Sequence, residues 1–111
     1  MEIEKISIVR EGEYYRVRLA INGIPAAFDP CCFEFWHIEE KFGAGTDKFY
    51  KVLAVKCLES TANEASYWMQ NGRPSMKVDR DRAINLIGQL RTDLATTRSA
   101  GTSAVAQSLA Q

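Results

Sequence analysis

The segment Tyr14–Ile21 limits the fold most, because it alternates: Tyr15, Val17, Leu19 and Ile21 fall on one side, Arg16, Arg18 and Ala20 on the other. A period of two marks a strand with one buried face. Asn22-Gly23 follows at once, and that dipeptide suits the two left-handed positions of a type I′ hairpin turn. Residues 24–28 are the returning strand, and Pro25 assigns it to an edge, since proline has no N–H for a ladder. Upstream, residues 3–10 (IEKISIVR) carry Ile6 and Ile8 between charges, with Val9 interrupting the alternation, and Glu11-Gly12-Glu13 is a turn. The first quarter of the chain is thus expected to be a three-stranded antiparallel meander, buried on one face and wet on the other.

The next stretch, residues 29–43 (DPCCFEFWHIEEKFG), has its own punctuation. Asp29 suits an N-cap, Pro30 the first helical position and Gly43 a left-handed stop. Cys31, Phe35, Ile38 and Phe42 recur at helical spacing and form the expected core stripe. Phe33, Trp36, His37 and Glu40 then fall on the opposite side. A surface helix normally keeps that side polar. Either a later helix covers these aromatics, or they are an exposed patch with a charged rim, the composition of a protein-binding hot spot.

The remainder reads as connectors and helices. Residues 44–47 are a loop; FGAGTDK has a glycine pair but not the spacing of a phosphate-binding loop. Residues 49–58 (FYKVLAVKCL) would be apolar nearly all round as a helix, and are read as a strand that rejoins the sheet. Thr61 and Glu64 have capping-box spacing for a short helix ending at Gly72. Arg73-Pro74 is extended, residues 75–78 a brief strand, and Asp79 the cap of a last helix over 80–98. Its stripe is Ala83, Ile84, Ile87, Leu90 and Leu94, with Gly88 marking a close approach of helices. Residues 99–111 are small and polar, and are read as a frayed tail. The expected fold is α+β and two-layer: an antiparallel β-meander of three to four strands packed by the central helix, then two further helices, forming a single domain over residues 1–98.

For function, the charges matter first. Lys plus Arg and Asp plus Glu number 14 each in 111 residues, a balance unlike that of a dedicated nucleic-acid binder. The three cysteines, two of them adjacent, do not suggest a disulfide framework. No apolar run is long enough for a membrane span, and Met1 leads straight into a charged segment, so a cytoplasmic chain with reduced thiols is expected. Cys31, Cys32, His37 and Cys57 do not form a metal set: the two neighbouring thiols diverge on a helix and there is no second histidine. Cys32 and His37 are too far apart around the helix for a nucleophile–base pair. No metal, no cofactor and no catalytic residue is therefore expected.

The reading that remains is a non-enzymatic protein-binding module, a small regulator or inhibitor of a larger complex, using Phe33, Trp36, His37 and Glu40. An origin in a phage or mobile element would suit so compact and motif-free a chain, but no residue carries it. The alternative is a DNA- or RNA-binding domain using Arg16, Arg18, Lys77, Arg80 and Arg82, although Glu2, Glu4, Glu11 and Glu13 crowd the same sheet and would repel phosphate. A homodimer through the last helix, centred on Leu90, is a further partner expectation.

Overall fold

The computed structural model describes residues 1–106, with side chains described through Thr96. Strands β1 (Ile3–Glu11), β2 (Tyr14–Ile21) and β3 (Ile24–Phe28) form one antiparallel sheet in the order β1-β2-β3. Asn22 and Gly23 both have positive φ, 49° and 79°, as a type I′ turn requires. Val17, Leu19 and Ile21 are completely buried on the inner face. The irregularity around Val9 has a specific origin. Ile3 and Ile8 are five positions apart, so strict alternation would put them on opposite faces. The register shifts between Lys5 and Ser7, leaving Ile6 as the extra residue of a bulge. Ile3 then pairs with Ile21 and Ile8 with Val17, both on the core side, while Ile6 is turned out.

Helix α1 (Cys32–Phe42) follows. Its start differs from expectation. The N-cap position is Cys31, with extended backbone and no side-chain cap, and Asp29 instead pairs with Arg18 across the sheet. Residues 29–31 are tied to the β1–β2 hairpin: the amide of Tyr15 donates to the carbonyl of Pro30 at 2.8 Å, and that of Cys32 to Glu13 at 2.9 Å. Because Cys31 is not helical it leaves the core stripe and is exposed, and Cys32 is buried in its place. Gly43, at φ 87°, ends the helix as expected.

Helix α2 (Asp47–Gln70) corrects the largest expectation. Residues 49–58 are helical, not a fourth strand, and Thr61 and Glu64 do not open a new helix. Thr46 is the true cap, its hydroxyl accepting from the amide of Phe49 at 3.2 Å. Thr61 sits mid-helix and donates back to the carbonyl of Cys57 at 3.0 Å. The physical reason is coverage. The sheet lies against one side of α2 and α3 (Lys77–Ala106) against another. A helix flanked in this way needs apolar residues nearly all round: Phe49, Val52, Leu53, Ala54, Val55, Cys57 and Leu58 are all buried.

After Gly72, Pro74–Met76 is a short 3-10 turn rather than a strand, and α3 begins at Lys77 with Asp79 inside its first turn. Its buried stripe is Ala83, Leu86, Ile87 and Leu90, with Leu94 packed alongside. Ile84, expected in that stripe, is exposed. Gly88 faces open space, with nothing within 4 Å of where a Cβ would lie, so it marks no helix approach. Of the frayed tail expected over 99–111, residues 107–111 lie outside the described residues.

Candidate protein-docking surface on α1

Among the described residues nothing covers the outer face of α1. Phe33 is 83% exposed and Trp36 43%, and no described side chain of α2 or α3 buries them. His37 and Glu40 are exposed beside them, so all four residues expected on this face share one surface. On the opposite side of the same helix, Phe35 stacks on Tyr15 with ring centroids 4.0 Å apart and meets Phe49 edge-on at 6.0 Å. These contacts fix the roll of α1 about its axis and so fix which ring points outward.

The patch is held by specific contacts. The Trp36 indole Nε1 donates to the Tyr15 hydroxyl at 3.1 Å. The Arg10 guanidinium lies 5.5 Å from the centre of the Trp36 ring, and its Nε donates to the carbonyl of Gly12 at 3.0 Å. Phe33 meets Trp36 edge-on at 6.4 Å. Tyr14, 57% exposed, is bridged to Cys31 and extends the apolar surface onto the sheet. Together Arg10, Glu13, Tyr14, Cys31, Phe33 and Trp36 line an open hollow of about 300 Å³. Arg10, Glu13, Tyr14 and Cys31 join this surface without any local signal in the sequence. The docking of residues 29–31 on the hairpin sets Tyr14 beside Phe33.

The cations of the nucleic-acid alternative are differently placed. Arg16 pairs with Glu11 at 3.3 Å, and Arg18 meets both carboxylate oxygens of Asp29, at 2.6 and 3.4 Å. The hydrogen bond to Asp29 raises the pKa of Arg18 further. Lys77 and Arg80 converge on Asp81 at 2.7 and 3.1 Å and hold its carboxyl below its ordinary value. Arg82 lines a cleft with Glu64, Asp79 and Gly23 of the hairpin turn. Four of these five side chains are thus engaged by carboxylates.

The cysteines differ in burial. Cys31 is exposed and Cys32 and Cys57 are buried, all as free thiols. Burial pushes the Cys57 thiol up to about 12, away from the range of a reactive thiolate. Among the described residues no three His, Cys, Asp or Glu side chains group as metal ligands, and no helix is long and apolar enough to cross a membrane. Leu90 is completely buried between α3 and the rest of the domain, which removes it as a dimer contact. Comparisons with family models, with curated proteins and with solved structures found no match.

Proposed function

We propose that this chain is a non-enzymatic protein-binding module, a small regulator or inhibitor of a larger complex, that docks through the outer face of α1. The observation that carries the reading is Phe33, 83% exposed next to a partly exposed Trp36 on a helix whose other face is core. Burying such a ring is worth about 2 kcal/mol, so leaving Phe33 in water is a cost that a partner can recover. Trp, Tyr and Arg are the residues enriched in binding hot spots, and this surface presents Trp36, Tyr14 and Arg10 together. Trp36 is already held by Tyr15 and Arg10, so little side-chain freedom is lost on docking. The free thiols suit a reducing compartment such as the cytoplasm.

Site-specific photo-crosslinking in the native cell tests the reading. A photoreactive phenylalanine analogue at position 33 should give a discrete protein adduct, and the same group at position 84 on α3 should not. Identical adducts from both positions, or none from position 33, would remove the proposal, and an adduct with nucleic acid would replace it with the alternative.

A further inference from the structure

The charge around the patch is predominantly negative once the ion-paired groups are set aside. Glu13, Glu34, Glu39 and Glu40 border the aromatic surface, and none of them has an ion-pair partner among the described residues. Of the nearby cations only Arg16 has a carboxylate partner among the described residues. Arg10 lies on the Trp36 ring, Lys41 lies 5.4 Å from the centre of the Phe42 ring, and Arg16 is paired with Glu11. Contact with a ring leaves a cation's charge in place, so four unpaired carboxylates face two unpaired cations and the surroundings of Phe33 keep a net negative charge. An incoming ammonium or guanidinium would meet both a free aromatic face and a negative rim.

Resting on the docking role proposed above, we propose that the partner presents a basic segment: an apolar side chain set against Phe33 and Trp36, flanked by Lys or Arg that pair with Glu13, Glu34 and Glu40. An acidic partner would place like charges against the same rim without water to separate them. A neutral apolar partner would leave those carboxylates at the edge of the interface without partners. A basic segment satisfies both groups at once.

A randomised linear-peptide display library, selected against the full folded chain, is the probe. The expected outcome is enrichment of peptides with Lys or Arg beside a large apolar residue. Their binding should weaken as salt rises, fall by roughly two- to fivefold for each of Glu34→Gln and Glu40→Gln, and be lost in Phe33→Ser. Phe33 is so exposed that this last substitution leaves the core untouched, and an unchanged melting temperature confirms it. Peptides that need Phe33 yet are neutral or acidic, or are indifferent to salt and to both glutamines, overturn the basic-partner inference and leave the docking surface standing. Peptides indifferent to Phe33→Ser, or no enrichment, overturn both.

Discussion

Phe33 and Phe35 stand two residues apart on α1 in opposite environments, 83% and 3% exposed. Phe33→Ala should therefore change unfolding free energy by less than about 0.5 kcal/mol, whereas Phe35→Ala, which empties the site between Tyr15 and Phe49, should cost about 3–5 kcal/mol. Urea denaturation of the two variants checks the pair. Equal losses would mean that the outer face is covered after all. The cysteines make a second contrast. Cys31 should react promptly with a thiol reagent in the folded protein, and Cys57 only on unfolding. Burial raises the Cys57 pKa from about 9 to about 12 in the folded state. Between those values the folded chain keeps a proton that the unfolded chain has released, so this thiol makes stability fall as pH rises across that window. Cys57→Ala should unfold with a shallower dependence on pH from 9 to 12 than the parent, and matching slopes would show that Cys57 is not desolvated.

Helix boundaries separate local signals that were used from those that were not. The Thr46 hydroxyl accepts from Phe49 and donates to the carbonyl of Gly43 at 2.8 Å, tying the end of α1 to the start of α2. Thr46→Ala should cost about 1 kcal/mol. Asp29→Ala, at the residue whose sequence suggests a cap, should cost no more than about 1 kcal/mol, because it breaks only the exposed pair with Arg18. That loss should shrink at high salt, and the far-UV circular dichroism of α1 should not change. A large loss of helix signal in Asp29→Ala would put the helix start back at residue 29. At this scale α2 explains why period alone misled: a helix lying between a sheet and a second helix loses the polar stripe that identifies helices in sequence.

The whole molecule is a sheet, then α2 laid across it, then α3 along α2, with α1 closing the end of the sheet near the β1–β2 turn. Lys51 links the start of α2 to α3, meeting Asp47 at 3.1 Å and Asp93 at 3.0 Å, and Arg91 pairs with Glu59 further along. Leu90 is sealed inside that seam. Leu90→Glu should therefore unfold the domain at any protein concentration instead of splitting a dimer. Ile84→Glu, on the exposed side of α3, should leave the melting temperature within a few degrees of the parent. Differential scanning calorimetry at two concentrations distinguishes these outcomes. A folded Leu90→Glu monomer would show that α3 does not pack as described.

The meander, its turn at Asn22-Gly23, the inward set Val17, Leu19 and Ile21, and the stop at Gly43 were legible in the sequence. Each is set within a few residues by alternation or by a positive φ. The aromatic face of α1 was legible too, as four residues at helical spacing, but not its exposure. Only the tertiary structure decided that. Burial depends on where the other helices lie, and α2 and α3 stack on each other beside the sheet, leaving α1 bare on one side. The same long-range packing made residues 49–58 a helix, turned Cys31 out and Cys32 in, and gave Asp29 to Arg18. Periodicity shows which residues share a face; what covers that face is settled by contacts between residues distant in the chain.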